Sequence, residues 1–266
     1  MISSVDDVAS GLSSSNQHQS YLKNLFASKT AGGFNSSWMA PGWPTAGVAS
    51  PAYTNGSGYT CDKTTTGALA YTQAVNQNWL ARTAAYASQP GTIILADRLW
   101  SCSGMGFAVG TYTVTSPGSL PPRIVDGGLN CEVWVENFVT VGAASGSMTL
   151  VYVDSASSTQ TATLTSGLVS AASQGTLQNF PLVNNLGVRQ ITSLGNGSTF
   201  TSGTYGVTIM KRIAEIPVPA IGIGATLDWA GCALGKIPAN ACLQFIYLAQ
   251  NTTAATIIGS LDIIDK

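Results

Sequence analysis

The side chains in this sequence that could do chemistry are few. Histidine occurs once, His18, in the polar stretch Ser14-Ser15-Asn16-Gln17-His18-Gln19. Any Ser-His-Asp or Cys-His arrangement would have to run through it. A solvated or interface histidine is the simpler reading of an imidazole in such a segment. Glu132 and Glu136 share one face of a strand-like segment, four residues apart. At ~3.3 Å per residue they stand roughly 13 Å apart, whereas glycosidase carboxylates need about 5–5.5 Å or 6.5–9.5 Å. They read as a polar or interface sheet face. Asp97 and Asp154 offer further carboxylates across strands, but nothing in the sequence selects them. Asp97-Arg98 interrupts an apolar run and reads as a buried or interface ion pair that fixes strand geometry, rather than as a ligand contact. Lys211-Arg212 reads as an edge or interface pin, not a phosphate groove. HExxH and the P-loop are absent, and no GxGxxG sits in a βαβ context. The expectation is a chain with no catalytic residues, no cofactor and no metal.

The cysteines agree with that expectation. Cys61, Cys102, Cys131, Cys232 and Cys242 form an odd, scattered set without CxxC. They read as reduced, mostly buried thiols, with a Cys232–Cys242 bridge as the alternative. A single histidine and the wrong cysteine spacing argue against zinc.

Only 9% of the 266 residues are charged, and the net charge is −1. Ordinary soluble domains run near ~25%, so Ser, Thr, Asn, Gln, Gly and Ala must cover the surface. With few lysines to protect strand edges, such a surface suits contact with neighbours. There is no basic stripe for nucleic acid. No apolar run approaches the ~18 residues of a membrane span, and the start lacks the pattern of a secretory signal. Neither nucleic acid nor membrane is an expected partner.

The elements that must position these groups are mostly strands. Residues 1 to about 30 read as helical in pieces. Tyr21, Leu22, Leu25 and Phe26 fall on one helical face, Asn16 or Ser20 could cap it, and Lys29 lies near its C-terminus. From Gly32 to Gly67 proline and glycine interrupt regular structure, yet Phe34, Trp38, Trp43, Tyr53 and Tyr59 make the stretch too aromatic for a disordered linker. It reads as an extended arm lying on something apolar. Val75, Trp79, Arg82 and Tyr86 predict a second helix over 72–88, stopped by Gln89-Pro90-Gly91. After that the period is two. Strands are expected at 92–100, 111–115, 131–141, 148–154, 160–165, 188–194, 205–213, 242–249 and 256–264, with small-residue turns at 142–147 and 195–198.

This pattern predicts a mainly β fold, an antiparallel β-sandwich, jelly-roll-like, with an N-terminal helix and extended arm. Residues 1–70 form the helix and docking arm; 71–266 form the body, with one helix near its start. The residues expected at an interface are Tyr21, Leu25, Phe26, Phe34, Trp38, Trp43, Tyr53 and Trp134, since aromatic side chains anchor protein contacts. Trp38, Trp43 and Trp134 could instead stack on sugar, and Trp38 and Trp43 could also pack into the core. Deleting residues 1–60 is expected to leave the sandwich folded.

Several segments read together resemble a known group. They are Thr92–Trp100 (TIILADRLW) with Ser101-Cys102-Ser103-Gly104, the hairpin near Cys131-Glu132-Val133-Trp134-Val135, Gly206–Arg212, and Cys242–Ile264. Over roughly residues 35–266 the chain resembles structural virion proteins of tailed bacteriophages, of the capsid decoration or cement type. None of these motifs is chemically diagnostic, and no site transfers with them. The resemblance implies a non-enzymatic β-sandwich on the outer capsid surface, assembled in the host cytoplasm. Its implied partners are the major capsid protein and its own copies, as a homotrimer. A glycan-binding head-fibre or tail adhesin, a jelly-roll major capsid subunit and a β-sandwich hydrolase are the other readings.

Overall fold

Ser4 opens the one α-helix among the described residues. Its hydroxyl oxygen accepts from the Asp7 amide at 3.2 Å, and Asp6 and Asp7 lie in the first turn, where the helix dipole favours negative charge. In this computed structural model all residues are described except 1, 3, 29, 50–57, 107–108, 115–119, 144–145, 166–169 and 198–199. The helix is α1 (Val5–Ser14). The strands that follow are β1 (Gln17–Asn24), β2 (Phe34–Ser36), β3 (Gly42–Trp43), β4 (Tyr59–Thr60), β5 (Asn78–Ala87), β6 (Gly91–Met105), β7 (Gly110–Thr113), β8 (Cys131–Val139) and β9 (Met148–Val153). After them come β10 (Thr159–Leu164), β11 (Thr176–Asn179), β12 (Gln190–Asn196), β13 (Thr204–Val218), β14 (Ala225–Asp228), β15 (Lys236–Ile237), β16 (Leu243–Ala249) and β17 (Thr256–Asp265).

The fold is mainly β and antiparallel, as expected. Its centre is a ladder that closes on itself: β13 pairs β8, then β11, β2, β16 and β6 follow, and β6 returns to β13. Each of these six strands sends apolar side chains into the enclosed interior, where Phe34, Ile94, Ala96, Trp134, Leu177, Met210 and Ile246 pack together. The long pair β6 and β13 makes this possible. Their register shifts at Tyr205/Val207, Ile209/Met210 and Arg212/Ala214, and such bulges bend and twist a ladder enough to close it.

Two further sheets pack on the outside of this barrel. One has the order β14-β5-β17-β1-β3, with β15 extending along β5; the other has the order β10-β9-β12-β7. The first buries Leu80, Leu261 and Ile263 against Ile93, Leu95, Ile216 and Phe245 of the barrel wall. The second buries Leu150, Tyr152 and Ile191 against Val133, Val135 and Ile209. The sandwich therefore occurs twice, sharing one barrel.

Two expected helices are strands. Residues 17–24 form β1, between β17 and β3, and residues 78–87 form the core of β5. In β1 the buried side alternates through Tyr21, Lys23 and then Leu25. A lysine in that register hid the period of two. Its ammonium is satisfied by the carbonyls of Ala40 at 3.2 Å and Thr45 at 3.4 Å. In β5 a register shift at Asp262/Ile263 breaks the alternation, and the inward Ala85 and Ala87 are good helix formers.

The N-terminal segment is woven into the fold. β1 is an interior strand of one sheet, and β2 closes the barrel between β11 and β16. Deleting residues 1–60 would remove both, so the expectation that the rest stays folded is corrected. Lys29, Tyr53 and parts of the two turns (144–145 and 198) lie outside the described residues.

Candidate interaction surface

The charged groups singled out in the sequence are largely consumed inside the fold. Arg98 and Glu136 pair at 2.7 Å within the barrel, both fully buried. Arg98 also donates to Ser101 Oγ at 2.7 Å and Gln244 Oε1 at 3.3 Å, and its guanidinium lies 4.6 Å from the Trp38 ring centroid. Thr208 donates to Glu136 at 3.1 Å. Burial works against the Arg98 charge, but Glu136, Cys61 and Tyr59 together outweigh it and raise the guanidinium above its ordinary value. Asp97 faces the other way and takes a two-pronged bond from Arg123, at 2.8 and 3.0 Å, and one from the Cys242 amide. Burial raises the Asp97 carboxyl above its ordinary value, with Arg123 opposing. Asp97 and Arg98 thus form buried ion pairs, with separate partners rather than with each other.

Glu132 is held by Arg212 at 2.9 Å and by the Trp134 indole N–H at 3.1 Å. Lys211 pairs with Asp126. Neither glutamate is free to act as an acid or base beside the other. A cleft of about 690 Å³ opens next to this group, lined by Asn130, Asn179, Asn185, Glu132 and Arg212. Its one aromatic lining residue, Phe180, is buried, so no ring is offered for a sugar to stack on.

His18 does stand in a suggestive order. Its Nδ1 lies 2.8 Å from Asp262 Oδ1, and Ser20 Oγ lies 3.5 Å from its Nε2. The sequence alone could not show this, because Asp262 arrives from the far end of the chain through the β1–β17 register. Three features argue against catalysis. The serine contact is at the limit of a hydrogen bond. Asp262 is also paired with Arg82 at 2.6 Å. The site is a sheet face, where backbone N–H groups lie in the sheet plane and cannot form an oxyanion hole above it. Among the described residues, no three His, Cys, Asp or Glu side chains group as metal ligands. No helix there is long and apolar enough to cross a membrane.

The aromatic residues divide sharply. Trp38 and Trp134 are fully buried, so the expectation of exposed rings is corrected for both. Trp38 donates to the Val48 carbonyl at 3.0 Å, and Trp134 packs edge-on against Phe34 at 5.0 Å inside the barrel. Tyr21 and Leu25 are buried in the core between the barrel and the β1-containing sheet. Phe26 and Phe34 are half-buried. Trp43 alone among the described members of the set is fully presented, at 63% exposure.

Trp43 is not isolated. It stands opposite Leu22, Leu22 opposite Ile258, and Ile258 opposite Tyr86. Directly opposed residues of an antiparallel sheet share a face, so these four form one row across β3, β1, β17 and β5. Ile258 and Tyr86 are 42% and 36% exposed, and Leu22 is half-exposed. Four strands at ~4.8 Å spacing make the row about 14 Å long. Ser20, Ser260 and Ala84 form the next row, and His18, Asp262 and Arg82 the one after. On the other side Asn24 bonds Thr256 at 2.9 Å. The outer face of this sheet is thus an apolar row framed by neutral polar residues, with its charge confined to one end.

No protein-family model and no curated protein sequence matches the chain. Among solved structures it is similar to the VP2 subviral particle of infectious bursal disease virus, at 10% identity, covering 94% of this chain and 80% of that one with a TM-score of 0.20. T=1 particles derived from the same virus give 10% identity, 94% and 77% coverage and a TM-score of 0.20. A family 7 alginate lyase gives 14% identity, 59% and 79% coverage and a TM-score of 0.16. Superpositions this loose carry no argument about this chain.

Proposed function

We propose that this chain is a non-enzymatic structural protein of a virion, of the capsid decoration or cement kind. It docks on the major capsid protein from the outer surface and associates with its own copies as a homotrimer, after synthesis in the host cytoplasm. The observation that carries the reading is the exposed row Tyr86–Ile258–Leu22–Trp43 on a nearly uncharged sheet face. The likeness of several segments to tailed-phage virion proteins supports it, as does the burial of Asp97, Arg98 and Glu136 in ion pairs.

The physics suits a permanent contact. A standard interface buries about 800 Å² on each partner. Four side chains fall short of that, so the neutral rows on either side must join the contact. Contacts without exposed ion pairs are little affected by salt. The test is co-sedimentation of the full chain with purified shells of its source particle. Binding should be equal at low and high salt and fall at least tenfold in Trp43→Asp and Ile258→Asp. Failure of the wild-type chain to bind, or full binding by both variants, would contradict the reading.

A further inference from the structure

β16 and β4 share one lane along the same edge of β6. β16 ends at Leu243, opposite Asp97, and β4 begins the other part at Thr60, opposite Trp100. Cys242 and Cys61 occupy the two slots between. The Arg98 amide donates to the Cys242 carbonyl at 2.8 Å, and the Cys61 amide donates to the Leu99 carbonyl at 3.0 Å. Both segments run antiparallel to β6, so Cys242 stands where the residue after Cys61 would stand in an unbroken strand. The register of β13 skips Leu99 between these two slots, a bulge that interrupts the alternation of faces, and neighbouring slots lie inside the ~7 Å Cα separation beyond which two cysteines cannot be bridged. Both side chains are buried in one small cluster with Trp38, Ala68 and Phe138. No disulfide joins them.

We propose that Cys61 and Cys242 are a modification site, a cysteine pair that closes to a disulfide by exchange with a low-molecular-weight disulfide such as oxidised glutathione. Cys61 attacks first. Burial opposes its thiolate, but the hydrogen bond to Cys242 and the Arg98 guanidinium outweigh burial and hold it below the ordinary thiol value. The Cys61 thiolate breaks the glutathione S–S bond, forming a mixed disulfide and releasing one glutathione thiolate. Cys242 then loses its proton and attacks the Cys61 sulfur, releasing the second. The two protein thiols give up two electrons and two protons, and two molecules of reduced glutathione leave.

The other cysteines lack such a neighbour. Cys102 and Cys131 stand opposite Val207 and Lys211 of β13, roughly 13 Å apart along that strand. Burial pushes their thiols up to about 11 and about 12. Cys232 belongs to a different core cluster, between the barrel and the β1-containing sheet. Both members of the pair are fully buried, so exchange requires the segment after β4 to lift from β6, or it occurs during folding.

The test uses the full chain, incubated with oxidised glutathione both as folded protein and through one cycle of unfolding and refolding. Free thiols are then counted in denaturant and peptides are mapped without reduction. The expected result is a drop from five thiols to three and one cross-linked peptide joining Cys61 to Cys242. Cys102→Ser should leave that cross-link unchanged. Five persistent thiols after both treatments, a stable glutathione adduct at Cys61, or a different pairing such as Cys232–Cys242 would overturn the proposal.

Discussion

Arg98 of β6 and Glu136 of β8 meet at 2.7 Å inside the barrel, reaching across β13 with neither side chain exposed. Each is bonded to further buried groups, so the pair is a node that ties together strands β6, β8, β13 and β16. Removing one partner leaves an uncompensated buried charge. Glu136→Gln and Arg98→Met should each cost about 3–5 kcal/mol in denaturant unfolding, and the double variant should cost less than their sum. Losses below about 1 kcal/mol for both singles would show that the pair does not hold the barrel.

Lys23 gives a pH dependence with a definite sign. Burial lowers its ammonium from 10.5 to about 8. Between those values the unfolded chain binds more protons than the folded one, so this residue's contribution to stability rises with pH through that window. The span corresponds to an order of 3 kcal/mol. Buried thiols with raised values act in the opposite direction over the same range, so the informative quantity is the difference between the wild type and Lys23→Met. The wild type should gain stability relative to the variant from pH 7 to 10. A difference that stays flat would contradict the buried placement.

Asp262 acts at the other end of the scale. Burial pushes its carboxyl up, but bonds from His18, Arg82 and Asn16 outweigh burial and hold it below 3.8. A carboxylate depressed in the fold contributes stability above its unfolded value and loses it as pH falls through the folded value. Acid unfolding of Asp262→Asn should therefore show a shallower loss below pH 4 than the wild type. Equal slopes would place the acid sensitivity elsewhere.

The Ser20–His18–Asp262 order invites a direct check. Without an oxyanion hole or a pocket, it should give no acyl-enzyme. Wild type and Ser20→Ala are expected to hydrolyse p-nitrophenyl acetate at the same slow rate, with no burst. A burst of about one equivalent that disappears in Ser20→Ala would establish a catalytic serine.

The period of two made β7, β8, β9, β10, β12, β16 and β17 legible to within a few residues. β6 and β13 were also expected, but each runs five residues further than its pattern, and β6 is buried on both faces and does not alternate. β1 and β5 were misread because a lysine and several alanines hold inward positions there, and burial by tertiary packing overrides local preference. Barrel closure was not legible. It depends on Phe34–Ser36, three residues with no pattern of their own, pairing with strands far along the chain. The exposed row was equally hidden: Trp43 stood out by its type, but Leu22, Ile258 and Tyr86 become its neighbours only through register. Trp38 and Trp134 were misplaced because composition cannot tell a ring that fills a barrel from one that meets a partner.

The most direct test of the structural role is cryo-electron microscopy of the source particle. Ordered density for this chain is expected on the outer shell, with Trp43, Leu22, Ile258 and Tyr86 seated against the major capsid protein. Absence of the chain from the particle, or its presence with that row facing solvent, would contradict it.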